Sequence, residues 1–218
     1  MTPFRLIVFD LDGTLVDSRR DIAESANATL VEFGAPPLDE DAIGRMVGDG
    51  APTLVARAFA AAGRSKPDDA LERFLSIYHA RLLRHTRPYA GMPETLEQLT
   101  ARASLAVLTN KPIAATLEIL KGLDLVRYFE PDRIVGGDGP FPRKPDPEGL
   151  LHLASMCGIT AGETVLVGDS AIDWRTARRA AAQACLARYG FGWEGFPIDQ
   201  LSAGDWIIDR PSDLLALL

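Results

Sequence analysis

The run Leu6-Ile7-Val8-Phe9-Asp10-Leu11-Asp12-Gly13-Thr14 decides how the rest of the chain is read. Its apolar start, with no polar alternation, predicts a strand buried on both faces, as in a parallel sheet. Side chains two apart on an extended chain point the same way, so Asp10 and Asp12 leave the strand end together. Like charges in such a place shift their pKa values or destabilise the fold unless a cation meets them, which argues for a bound metal and a chemical task. Gly13 lets the backbone turn and bare its N–H groups. An Asp-Gly turn needs only one Asp, so a turn alone leaves Asp10 unexplained. A pattern of the form D-x-D-G-T arises by chance at about one starting point in 10^5.

The chain of 218 residues is 47% hydrophobic, enough for one large domain or a core with a modest insertion. With 30 acidic against 23 basic residues the net charge is −7, which disfavours non-specific nucleic-acid binding and anionic membrane surfaces. Met1-Thr2-Pro3-Phe4-Arg5 lacks the charged-then-apolar pattern of a leader, and no apolar stretch approaches the roughly 18 residues of a membrane span. The expectation is a soluble cytoplasmic protein, with neither nucleic acid nor membrane as partner. Cys157 and Cys185 lack paired ligand spacing and read as reduced packing residues.

Further short apolar runs at 105–108, 133–135, 165–167, 185–187 and 206–208 predict strands, several separated by helical patterns such as Leu150, Leu151, Ala154 and Cys157. This is the α/β class with a doubly wound parallel sheet, Rossmann-like in its winding. The segment 19–86 differs, with helical stripes and no convincing strand. Ile22, Ala26, Leu30 and Phe33 form one stripe; Leu54, Val55, Ala58, Phe59 and Ala62 a second; Leu71, Phe74, Leu75, Tyr78 and Leu82 a third. Ser18 and Asp21 are spaced as a capping box for the first helix, and Gly34-Ala35-Pro36-Pro37 closes it. The connections 15–18 and 87–93 emerge near the strand ends that hold Asp10. The expected division is therefore a core of residues 1–18 and 87–218, with an inserted all-helical cap at 19–86.

Three other segments carry chemistry. Leu108-Thr109-Asn110-Lys111-Pro112 ends the second strand of the core, where a hydroxyl, an amide and helix N-terminal N–H groups suit a phosphate. Lys144, in Phe141-Pro142-Arg143-Lys144-Pro145-Asp146-Pro147, stands in a proline-stiffened loop that holds one ammonium at low entropic cost; Arg143 reads as solvated. Val167-Gly168-Asp169-Ser170-Ala171-Ile172-Asp173 follows another apolar strand, with Ser170 and Asp173 again at capping-box spacing. His79, His85 and His152 are scattered and give no zinc site.

In this order the four segments resemble the motifs of the haloacid dehalogenase-like superfamily in its phosphatase form. The resemblance implies that Asp10 attacks phosphorus and Asp12 is general acid and base. It also implies that Thr109, Asn110 and Lys144 hold the phosphoryl group, Lys144 neutralising the nucleophile as well. Asp169 then binds metal, and Asp173 supports the site from behind. Mg2+, which prefers hard oxygen ligands and few carboxylates, matches Asp10, Asp169 and the main-chain carbonyl of Asp12. A carbon–halogen hydrolase needs neither acid nor metal and would leave Asp12 and Asp169 unexplained. A phosphosugar phosphatase, a mutase like β-phosphoglucomutase, and a non-catalytic binding protein on the same fold stay open.

Selectivity is expected from the cap. Val47-Gly48-Asp49-Gly50-Ala51-Pro52, with Arg57 one turn into the next helix, resembles the cap of phosphoglycolate phosphatases. So do Pro88-Tyr89, Gly136-Gly137-Asp138 and Arg188-Tyr189-Gly190-Phe191-Gly192. The substrate implied is a small phosphorylated metabolite such as 2-phosphoglycolate, selected by Gly48, Asp49, Gly50 and Arg57, in a monomer or homodimer. Two departures from the family pattern stand out. Ala181-Ala182-Gln183 lacks the glycine suited to a left-handed helix end, and Gly149 replaces a bulkier residue at a helix start.

Overall fold

The computed structural model describes residues 4–218. In chain order its strands are β1 (Leu6–Phe9), β2 (Val16–Asp17), β3 (Arg87–Pro88), β4 (Ser104–Leu108), β5 (Ile134–Val135), β6 (Thr164–Gly168), β7 (Gln183–Ala187) and β8 (Trp206–Ile208). The α-helices are α1 (Arg19–Glu32), α2 (Glu40–Gly44), α3 (Ala51–Ala61), α4 (Ala70–His79), α5 (Met92–Thr100), α6 (Ile113–Gly122), α7 (Glu148–Met156), α8 (Ala171–Ala180) and α9 (Leu214–Leu217).

Six strands form one parallel sheet in the order β5-β4-β1-β6-β7-β8. The chain winds outward from β1 through β4 to β5, then crosses back to β6 on the other side. The reversal falls beside β1, the place where open α/β sheets bind ligands at their C-terminal strand ends. Register aligns three chemical segments there: Phe9 lies opposite Val107 and Val167, so Asp10, Thr109 and Asp169 all follow at one edge.

The uninterrupted apolar runs have a direct physical cause. Ile7, Phe9, Val107 and Val167 pack on one face with Leu96, Leu99, Ile119 and Leu120 of α5 and α6. Leu6, Val8, Leu108 and Leu166 pack on the other with Leu150, Leu153 and Ala177 of α7 and α8. Both faces are covered, so neither parity of the strand carries polar side chains.

All six expected strands form, with ends that differ by at most two residues, the largest difference being at β7, which begins at Gln183. The antiparallel pair β2–β3 was not anticipated, because two-residue strands leave no periodic pattern. It joins Val16 to Pro88 and Asp17 to Arg87, bringing both connections of the helical segment side by side. Between them lie α1 to α4 and no strand. The short α2 was not anticipated either, and the third stripe outruns its helix: Leu82 is buried beyond the end of α4.

Three local expectations need correction. Ser18 and Asp21 do not form a capping box. Ser18 Oγ donates to Asp12 at 2.5 Å, and Asp21 accepts from His85 N, Thr86 N and Thr86 Oγ1 at 2.7–3.0 Å. Partners distant in sequence outcompete the local pairing and tie α1 to the returning chain. At Gly149, a Cβ would sit 2.8 Å from Leu108 Cδ1, so the glycine lets α7 pack closely on β4 rather than merely weakening the helix start.

The α8 terminus is left-handed despite lacking glycine: Ala181 adopts φ 57°, ψ 32°, and Gln183 already begins β7. Ala182 N donates to Ala177 O at 2.9 Å to close the turn. An L-residue with a Cβ is strained there by roughly 1–2 kcal/mol, partly offset in glycine by its greater unfolded-chain entropy. Ala181→Gly is therefore expected to stabilise the fold by about 0.5–1 kcal/mol. Urea denaturation measures this, and a destabilised variant would contradict it.

Candidate active site

Asp10 follows β1, its N–H anchored on Val167 O at 2.9 Å, and the chain then turns sharply at Gly13, which has φ 84°. A Cβ on Gly13 would overlap the Asp169 carboxylate, so the residue is required by close approach as well as by conformation. Gly13 N–H bonds Val16 O, while the N–H groups of Thr14, Leu15 and Val16 converge on Leu11 O. The turn thus consumes most of the donors expected to be bared. The N–H groups of Leu11 and Asp12 keep no partner among the described residues.

Lys144, only 5% exposed, joins two carboxylates: its Nζ lies 2.8 Å from Asp10 Oδ1 and 2.6 Å from Asp173 Oδ1. The other oxygen of Asp173 accepts Ser170 Oγ at 2.6 Å and Ser170 N at 3.2 Å, so the capping arrangement at the start of α8 forms and also fixes Lys144. Asp169 Oδ2 accepts Gly192 N–H at 2.7 Å. Carboxylate oxygens of Asp10, Asp169 and Asp173 fall within 4.8 Å of one another.

Asp12 has a separate set of partners. Lys111 Nζ lies 2.8 and 3.0 Å from its two oxygens, beside the Ser18 bond. Lys111 is buried, and its ammonium sits over the Tyr78 ring at 4.6 Å from the centroid. Sequence reasoning gave Lys111, Ser18 and Tyr78 no such role; a lysine following Thr109-Asn110 at a strand end was the only signal. Thr109 is buried, and its Oγ1 accepts Lys111 N–H at 3.2 Å. Asn110 spends both amide hydrogens as a brace, on Gly48 O at 2.8 Å and Lys144 O at 2.9 Å. Arg143 is exposed as expected, with Nε on Gly137 O at 2.8 Å.

A cavity of about 280 Å3 opens between this edge and the helical segment, lined by Asp10, Asp12, Thr109, Asn110 and Lys111 from below. Gly48 and Gly50 line it from above, together with Ile22, Leu54, Phe74 and Tyr78. Asp49 and Arg57 do not line it. They pair with each other at 2.7 Å, and Arg57 also donates to Met46 O at 3.2 Å, which accounts for the guanidinium without a ligand.

Burial raises the Asp10 pKa to about 6 against the opposing pull of Lys144, with Asp173 adding to the rise. Burial also lifts Asp169 well above the usual carboxylate range, reinforced by Asp173 and Asp10. Four carboxylates (Asp10, Asp12, Asp169, Asp173) against two ammonium groups (Lys111, Lys144) leave an excess of two negative charges. A divalent cation with oxygen ligands fits that excess. Asp173 has both oxygens engaged, whereas Asp10 and Asp169 each keep one without a partner among the described residues, so these two are the candidate ligands.

This sheet, with acidic groups and a lysine gathered at its reversal point, defines a class. Residues 7–187 match the family model of haloacid dehalogenase-like hydrolases. The chain belongs to that family. It is 40% identical to a phosphoglycolate phosphatase of Rhodospirillum rubrum, covering 93% of this chain and 90% of that protein. It is 36% identical to a plasmid-borne phosphoglycolate phosphatase of Cupriavidus necator, covering 99% and 94%. A crystal structure of a predicted phosphoglycolate phosphatase from Haemophilus somnus superposes with a TM-score of 0.91 at 34% identity, covering 100% of this chain and 99% of the other.

The raised carboxylates set the pH response of the metal-free site. Their folded pKa values exceed the unfolded ones, so the stability each contributes is full below the unfolded carboxylate pKa and is lost as pH rises through its folded value, about 6 for Asp10. Protons and cation compete for the same oxygens. The gain in melting temperature on adding Mg2+ should therefore grow from about pH 5 to about pH 8. Differential scanning fluorimetry tests this, and a gain largest at the acidic end would contradict it.

Proposed function

We propose that the protein is a Mg2+-dependent phosphomonoester hydrolase working through an aspartyl-phosphate, with 2-phosphoglycolate as its substrate. The observation that carries this reading is Lys144 held 2.8 Å from Asp10 within the acidic cluster, beside a cavity that Asp12 also lines. The names of the relatives support the choice of ester. The helical unit 19–86 acts as a cap over the core of 1–18 and 87–218, and the enzyme works in the cytoplasm. No described helix is long and apolar enough to cross a membrane.

In the proposed reaction a carboxylate oxygen of Asp10 forms a bond to phosphorus while the ester P–O bond breaks. Asp12, aligned by Lys111 and Ser18, gives its proton to the departing oxygen. Asp12 then takes a proton from water as that water attacks phosphorus, releasing inorganic phosphate and restoring Asp10. Lys144, Thr109 and the N–H groups of Leu11 and Asp12 would bear the charge on the remaining phosphoryl oxygens. Mg2+, held by Asp10, Asp169 and the Asp12 carbonyl, would supply charge neutralisation for the incoming dianion. Asp173 keeps Lys144 in place.

A phosphate-release assay with and without Mg2+, on a panel that includes 2-phosphoglycolate, tests the reading. Turnover should require the metal, favour 2-phosphoglycolate, and fall at least about 1,000-fold in Asp10→Asn. Faster hydrolysis of several sugar phosphates would withdraw the substrate, and an active Asp10→Asn enzyme would withdraw the mechanism.

A further inference from the structure

Beyond the phosphoryl end, the cavity is apolar, walled by Ile22, Leu54, Phe74 and Leu82. A leaving group that carries its own negative charge needs a counter-charge in such a chamber. Arg57, the expected cap cation, is committed to Asp49 outside the lining. Two basic side chains line the cavity. His79 has a side chain 73% exposed, with Nδ1 3.5 Å from Glu118 Oε2, which places it at the rim. Lys111 lies inside.

The Lys111 ammonium has three donors, of which the two oxygens of Asp12 engage two. Its ion pair with both oxygens of Asp12 keeps the ammonium charged inside the cavity. Directly beneath it, Tyr78 is 6% exposed, lines the same cavity, and its hydroxyl has no hydrogen-bond partner among the described residues. An unpaired buried hydroxyl costs about 1–3 kcal/mol, so a site that retains one is matched to a group arriving with the ligand. Burial pushes the Tyr78 pKa up to about 12, so the phenol keeps its proton and donates.

We infer that Lys111 and Tyr78 form a subsite for an anionic group on the leaving alcohol, a carboxylate two bonds from the ester oxygen. The inference rests on the phosphatase reading and places its specificity at the junction of α4 with the β4–α6 turn rather than in the Gly48–Arg57 loop. Spacing supports it. Lys111 touches Asp12, the group proposed to protonate the ester oxygen, so a carboxylate so near that oxygen falls within reach of the third ammonium proton. Recognition by a buried donor pair also rejects analogues that lack the acceptor, because the donors are then left unpaired.

The test is the ratio of kcat/KM on 2-phosphoglycolate to kcat/KM on ethyl phosphate, which has the same chain length and no carboxylate. Tyr78→Phe, which preserves the ring and its stacking on Phe74, should lower this ratio about ten-fold, chiefly through KM for the carboxylate ester. Lys111→Gln should lower it further. An unchanged ratio in Tyr78→Phe would overturn the subsite while leaving the phosphatase reading intact, whereas a wild-type enzyme that prefers ethyl phosphate would overturn the subsite and withdraw 2-phosphoglycolate as the substrate, leaving only phosphomonoester hydrolysis. A wild-type enzyme that hydrolyses neither ester with Mg2+ present would remove the phosphatase reading and the subsite with it.

Discussion

The structure is organised around an imbalance of buried charge. Asp10, Asp12, Asp169 and Asp173 gather at one edge of the sheet, and Lys111 and Lys144 oppose only half of their negative charge. Like charges so close in a low-dielectric setting are costly unless something of opposite sign completes the set. That requirement explains why Asp169 is packed against Gly13, where no side chain fits, and why the lysines come from two different loops. Each ammonium is fixed by a carboxylate from another segment, so the edge is complete only when the segments that follow β1, β4, β5 and β6 are brought together.

Two pairings stand side by side. Lys144 joins Asp10 and Asp173, which Ser170 braces from behind, and in the proposed reaction this is the phosphoryl side. Lys111 joins Asp12, which Ser18 also meets, and in the proposed reaction this is the leaving-group side. Asn110 spans the two levels by holding Gly48 of the helical segment and Lys144 of the core at once. The β2–β3 ribbon and the Asp21 bonds to His85 and Thr86 gather the two ends of that segment next to the site. A cap that moves on such a narrow base would carry Tyr78 and Gly48 together.

Most of the fold was legible because a sheet covered on both faces leaves uninterrupted apolar runs, and all six appear as strands. The acidic cluster was legible because Asp10 and Asp169 occupy strand ends where carboxylates are expensive without a use. The β2–β3 pair was too short to leave a pattern. Ser18 and Asp21 misled because capping spacing is local, while their actual partners lie across the fold. The sequence gives Lys111 no role, because only the tertiary contact with Asp12 and Tyr78 distinguishes it. Arg57 illustrates the reverse: a plausible position in the chain, with its charge already spent on Asp49.

The covalent step is the most exposed part of the mechanism, since every proposed role around it depends on Asp10 taking up the phosphoryl group. Acid-quenching the enzyme during turnover of 2-phosphoglycolate with Mg2+, followed by peptide mass spectrometry, examines that step itself. The account predicts phosphate on the peptide containing Asp10 and none there in Asp10→Asn. Rapid turnover with no phosphorylated Asp10 at any quench time, or with the phosphate on a different residue, would contradict it.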